Sequence, residues 1–139
     1  MSLENSPDLW RSALPRLKPD GHKYDRGHVI VLGAETLTGA ACLAADAAMR
    51  VGAGLCTIYA PPETALVYRF FKPYIMVREC ALIGTFVHAA TDPRPLAVVM
   101  GMGVIDVDAV ALRQAIFEIL ALNRPTVLDA EARNGCAGN

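Results

Sequence analysis

The chain has 139 residues, 53% of them hydrophobic, and a formal net charge of −1. That length suits one domain with a buried core, and the near-zero charge gives no electrostatic case for nucleic acid or an anionic membrane surface as a partner. The longest uncharged apolar run, LAVVMGMGVI, is about half of what a bilayer-spanning helix needs, so no membrane segment is expected.

The opening residues MSLENSPDLW carry acids and a proline but neither a basic stretch nor an apolar one, so no secretory signal is predicted and a cytoplasmic location is expected. The four cysteines, Cys42, Cys56, Cys80 and Cys136, include no C-x-x-C pair. Three of them sit in apolar segments and read as small buried hydrophobes of a reducing compartment. His22, His28 and His88 are not spaced with them for zinc, so no metal site is predicted.

Residues 1–21, with Pro7, Pro15, Pro19 and Gly21, read as an extended lead-in, and residues 22–139 as the α/β body. HKYDRGH is a charged turn, in which His22 and Lys23 read as solvated residues more than as catalysts. Val29 to Leu32 form a β-branched run ending at Gly33, the pattern of a buried parallel strand. Thr38 is the expected cap of an alanine-rich helix that Gly52 and Gly54 end, with Asp46 and Arg50 paired one turn apart on its wet edge. LCTIYA is the second strand, stopped by Pro61-Pro62, after which a short helix is predicted to about Phe71. YIMVREC reads as a short strand and ALIGTFVHAA as either a helix or a loop. LAVVM is the next buried strand, ending at Gly101-Met102-Gly103. From Asp108 a helix follows, its apolar stripe being Leu112, Ile116, Ile119 and Leu120. TVLDA is a further strand with Asp129 at its carboxyl end, and the tail EARNGCAGN reads as non-helical.

Strands alternating with helices imply a parallel sheet with helices on both faces, and ligands in such sheets bind at the carboxyl ends of the strands. Those ends are Gly33 to Thr38, Gly101 to Gly103 and Asp129 to Glu131. The loop GAETLTGA has neither the lysine of a P-loop nor a G-x-G-x-x-G fingerprint. Gly39-Ala40 at a helix start either offers free N–H groups to a polar ligand or only lets the helix pack closely. Gly101 and Gly103 either admit a ligand to the backbone or only turn the chain. Asp129 and Glu131 either hold a hydroxyl or a metal or are solvated loop acids. No Ser/His/Asp or Cys/His arrangement is legible, so no catalytic residue is assigned.

These segments together resemble one family. LPRLKPDGHKYDRGHVIVLGAETLTGAACLAADAAMRVGAGLCTI is similar to the opening of the ADP- or ATP-dependent NAD(P)H-hydrate dehydratases, members of the ribokinase-like carbohydrate kinase superfamily. FKPYIMVRE, AVVMGMGV and RPTVLDAEARN resemble, in order, that family's P-E-x-M, A-x-x-I-G-P-G-L and P-x-V-L-D-A-D-A-L-N segments. The resemblance implies a ribokinase-like fold and the repair of hydrated NADH or NADPH, whose added hydroxyl is phosphorylated and then eliminated. It implies ATP or ADP with Mg as cofactors and substrate contacts at Gly39, Ala40, Gly101 and Gly103. The departures are Gly33-Ala34-Glu35 for G-G-S, Gly101-Met102-Gly103 for G-P-G, and Glu131 and Arg133 within the last segment. The family's H-P-x-E, K-G and G-T-G-D segments, the last with its catalytic aspartate, do not occur in the 139 residues. A chain inactive on its own is therefore expected. The alternative is a non-catalytic binding or assembly module that forms homo-oligomers or pairs with a complementing chain, and beyond that an unrelated small Rossmann-like module.

Overall fold

The computed structural model describes residues 4–14, 16, 18–94, 96–103 and 108–136, with the side chains of 134–136 excepted. Pro15, Leu17 and the side chain of Cys136, on which the sequence reading drew, lie outside that description.

The first strand, β1 (His28–Leu32), is apolar from Val29 onward because it is covered on both faces. Ile30 and Leu32 enter one core cluster and Val31 the other. The other strands are β2 (Leu55–Ala60), β3 (Met76–Glu79), β4 (Leu96–Met100) and β5 (Thr126–Leu128). All pair in parallel, in the order β3-β2-β1-β4-β5. There are five strands because YIMVREC supplies the edge strand β3.

The lead-in is not extended throughout. Pro7–Trp10 form one helical turn, α1, with no buried residue, followed by a 3-10 turn at Arg11–Ala13. Pro7 at the first helical position has the φ a helix requires, which is why a proline-containing segment turns here. Helix α2 (Thr38–Val51) buries Ala41, Cys42 and Ala45, small residues that let it lie close to β1 and β2. Gly52 closes it in the left-handed conformation, as expected. Thr38 is not its cap: the cap position is Leu37 and no side chain bonds there. Asp46 pairs with Arg50 at 2.8 Å and accepts a hydrogen bond from the Tyr74 hydroxyl at 2.5 Å.

Helices α3 (Ala65–Arg69) and α4 (Ile83–Ala90) flank β3, and α4 resolves the ambiguity over ALIGTFVHAA in favour of helix. In α5 (Ala109–Ala121) the buried stripe is Leu112, Ala115, Ile116 and Ile119, whereas Leu120 is exposed. Ala115 takes the place at i, i+3, i+4, i+7 that the larger Leu120 was expected to fill. Asp108 caps this helix, accepting from the Val110 N–H at 2.9 Å. The described part of the tail, residues 131–136, is helical after all, while 137–139 lie outside the described residues. In α6 (Ala130–Cys136), Ala132 is fully buried in the cluster that holds α4 and α5. Tertiary packing of that one residue overrides a glycine-containing sequence.

The three cysteines whose side chains are described are free and buried, and burial raises the Cys56 thiol to about 12. Two acidic-side transitions are expected. His28 is half-buried, with its Nε2 2.8 Å from the Thr57 hydroxyl, and its pKa is lowered by burial first and then by Arg94 and Arg78, while Asp92 raises it. Its proton is therefore taken up first by the unfolded chain, so stability falls as pH drops below about 6.5. The Asp92 carboxylate is held well below its ordinary range by hydrogen bonds from Arg94. Its stabilisation is full above about pH 4 and is lost on further acidification. Denaturant midpoints against pH should show His28→Gln flattening the first limb and Asp92→Asn the second.

Candidate functional site

In this strand order the chain leaves β1 toward β2 and β3, then returns to its other side as β4 and β5. The direction changes between β1 and β4, where a crevice opens at the carboxyl ends of parallel strands. The loops leaving those two strands meet there. Gly103 has φ +67, and a β-carbon on it would stand 2.7 Å from the Leu37 carbonyl and 2.8 Å from Leu37 Cβ. Only glycine lets the β4–α5 loop press this closely on the β1–α2 loop.

A cleft of about 330 Å³ lies at this point, walled by Gly33 to Thr36, Gly103, Pro61 to Glu63 and the segment Cys80 to Ile83 that leads into α4. The β1–α2 loop that forms its floor is fixed from beneath. Tyr68 of α3 is fully buried; its hydroxyl accepts from the Ala34 N–H at 2.8 Å and donates to the Ala34 carbonyl at 3.1 Å. The Thr64 hydroxyl donates to that same carbonyl at 3.1 Å. Both polar groups of a buried loop residue are thereby satisfied. Tyr59, half-buried, closes the inner wall with its ring edge-on to Phe86 at 5.6 Å.

The predicted site residues do not all gather here. Gly103 lines the cleft. Gly101 is buried and seats the next loop instead: with φ +108, it leaves room for the Asp129 carbonyl and for Ala132. Gly39 and Ala40 are exposed in the first turn of α2, outside the cleft wall. Asp129 is exposed and Glu131 partly so, at the start of α6 and likewise outside it. Met102 is buried in the α2 core cluster, so a side chain replaces proline there without entering the cleft.

Sequence reading identified Glu35 as an acid in the loop but gave no sign of Glu63, Tyr59, Tyr68 or the Cys80 to Ile83 wall. Among the described residues that line the cleft there are two carboxylates, Glu35 and Glu63, and no Lys, Arg or His. The described residues include no group of three metal-ligating side chains and no helix long and apolar enough to cross a membrane. Two further hollows, of about 340 and 420 Å³, flank α4 and share Arg78 and His88. The first also reaches His28 and Ile30 of β1 and Leu96 of β4, and neither is lined by the loops that leave the carboxyl ends of β1 and β4.

A family model described as NAD(P)H-hydrate dehydratase matches residues 28–139. The bifunctional NAD(P)H-hydrate repair enzyme of Coxiella burnetii is 35% identical over 127 residues, covering 87% of this chain and 24% of that protein. The human ATP-dependent (S)-NAD(P)H-hydrate dehydratase is 32% identical over 134 residues, covering 93% of this chain and 39% of that one. Among solved structures, the ADP/ATP-dependent NAD(P)H-hydrate dehydratase of Bacillus subtilis, co-crystallised with ATP and Mg2+, superposes with a TM-score of 0.73 at 24% identity, over 91% of this chain and 45% of that one. A ribokinase-like superfamily protein of Enterococcus faecalis gives a TM-score of 0.72 at 21% identity, over 94% and 46% of the two chains. At those identities the structures speak for a ribokinase-like fold. The chain spans less than half the length of each of these relatives.

Proposed function

The chain belongs to the family of NAD(P)H-hydrate dehydratases, and from that premise we propose that its switch-point cleft is the substrate-side part of a hydrated nicotinamide cofactor site. The observation that carries this is the junction of the β1–α2 and β4–α5 loops at Gly103 and Leu37, which builds the cleft where parallel sheets hold their ligands. Gly103 and the Ala34 loop present backbone and small side chains to the hydrated ring, and Tyr68 and Thr64 hold that loop in place before ligand arrives. The start of α2 has no side-chain cap and its Gly39 and Ala40 are exposed, so backbone N–H groups of its first turn are left for a ligand. Asp129 and Glu131, beyond Gly101, are left as polar contacts for groups reaching past the cleft.

ATP or ADP with Mg would supply the phosphoryl group that turns the added hydroxyl into a leaving group. The described lining does not suit a polyphosphate, because its charged members are both carboxylates. No phosphoryl step is therefore assigned to these residues, whose role is to bind and orient. Free, buried thiols at Cys42, Cys56 and Cys80 fit a cytoplasmic location.

Incubating the purified 139-residue chain with hydrated NADH, ATP and magnesium should restore no dihydropyridine absorbance, while hydrated NADH should bind. Restored absorbance would overturn the division of labour. A second reading, a non-catalytic module that self-associates or pairs with a complementing chain, is favoured by the β5 edge, which no further strand covers among the described residues and where Val127 is 59% exposed. Light scattering that shows a monomer across a wide concentration range would count against it.

A further inference from the structure

We infer that the groove between α4 and the strands β2 and β3 is a second binding site, and that it takes the terminal phosphate of a small phosphate monoester. The two hollows beside α4 form one groove, since Tyr59, Arg78, His88 and Ala89 line both. Of its described lining residues only Tyr59 also borders the switch-point cleft, so the groove stands apart from that site.

The fold builds the groove from two sides. Tyr59 and Arg78 are partners in the parallel register of β2 and β3, so both side chains leave the same face of the sheet. The Tyr59 ring stands edge-on to Phe86, which places that face beneath α4. Thr85, His88 and Ala89 form the stripe of α4 that faces the groove, while Phe86 and Ala90 are buried in the core. Charge then singles out one residue. Arg69 is paired with Glu79 at 2.8 Å and Arg94 with Asp92 at 2.5 Å. Those two acids are the only carboxylates among the described lining residues, and Arg78 has no ion pair among the described residues. Its charge is felt inside the groove: burial raises the pKa of the Tyr59 hydroxyl, and Arg78 opposes that rise. A guanidinium offers parallel N–H groups to two oxygens of a phosphate. A third oxygen is left for an imidazole N–H of His88 or the Tyr59 hydroxyl, which donates to no other described residue. A monoester presents three such oxygens and nearly two charges, whereas each phosphorus of a dinucleotide's diphosphate bridge presents two oxygens and one charge. Ile30, Leu96 and Ala89 offer the carbon part an apolar surface at the other end. Hollows of about 340 and 420 Å³ stand at the small end of ligand sites, which suits a small molecule.

The test titrates the 139-residue chain with glycerol 3-phosphate and, separately, with succinate, a dianion without phosphorus, and follows the amide resonances. Glycerol 3-phosphate should give saturable shifts at Arg78 and His88 and leave Gly33 and Gly103 unmoved. Arg78→Gln should weaken it about tenfold, the loss of one charge-assisted pair, and Arg78→Lys less, because the charge stays and the fork goes. Arg78 is exposed on an edge strand, so both substitutions leave the fold intact. Arg50→Gln, on the far helix α2, removes the same charge and should change nothing. Succinate binding as tightly as the monoester would overturn the assignment to phosphate. Absence of saturable shifts at Arg78 and His88, or equal losses in Arg78→Gln and Arg50→Gln, would overturn the site.

Discussion

Gly101→Ala is expected to destabilise the chain by about 3 kcal/mol, combining a positive-φ penalty of about 1 to 2 kcal/mol with an overpacking cost of similar size. Gly101 has φ +108, and a β-carbon there would overlap the Asp129 carbonyl and stand 2.5 Å from Ala132 Cβ and 3.0 Å from Ala132 N. Neither neighbour can yield cheaply. Asp129 N–H donates to the Met100 carbonyl at 3.1 Å, and Ala132 is fully buried against the α4 and α5 cluster. β5 has three residues and sits at a sheet edge, so little else fastens it. In thermal unfolding the variant should lose on the order of 10 °C, and amide exchange should accelerate first in β5 and α6. A variant as stable as the parent would mean that the β4 and β5 ends are not packed as described.

Tyr68→Phe should cost about 1 to 3 kcal/mol, because it strands a buried donor rather than merely deleting a contact. The Ala34 N–H has the Tyr68 hydroxyl as its acceptor at 2.8 Å, and Ala34 is 2% exposed. The Ala34 carbonyl suffers less, since Thr64 still donates to it. Phenylalanine keeps the ring that packs under Gly33, where the Tyr68 ring carbon Cζ lies 3.1 Å from the place a β-carbon would take. The loss should therefore be local. Urea titration should report the cost, and affinity for hydrated NADH should fall with it as the cleft floor loosens. Thr64→Val, which removes one of two bonds to the carbonyl, should do less on both measures.

How far the sequence revealed this molecule depended on how completely each segment is buried. β1, β2 and β4 were legible as continuous apolar runs because they lie between two helical layers. β3 was harder, since it is an edge strand whose Met76, Arg78 and Glu79 are exposed and only Val77 is partly covered. α6 escaped notice because one buried alanine organises it, a signal too small for periodicity. Thr38 satisfied the residue preference for a cap, yet the chain turns into the helix one residue earlier. The glycine loops at the switch point could be named from their places after strands. Tyr68 could not, because its partner Ala34 is 34 residues away in the chain and nothing local in ALVYR points to it. Glu63 and the Cys80 to Ile83 wall entered the site in the same way, by packing across the crevice. Gly39, Ala40, Asp129 and Glu131 were read from strand and helix ends alone. That places them toward the carboxyl edge of the sheet but outside the cleft wall.

The most direct test is the amide spectrum of the 139-residue chain titrated with hydrated NADH. The site assigned here predicts saturable shifts at Gly33, Ala34, Glu35 and Gly103, with none at Arg78 or His88. Shifts confined to the hollows around Arg78 and His88, or none anywhere at millimolar ligand, would contradict it.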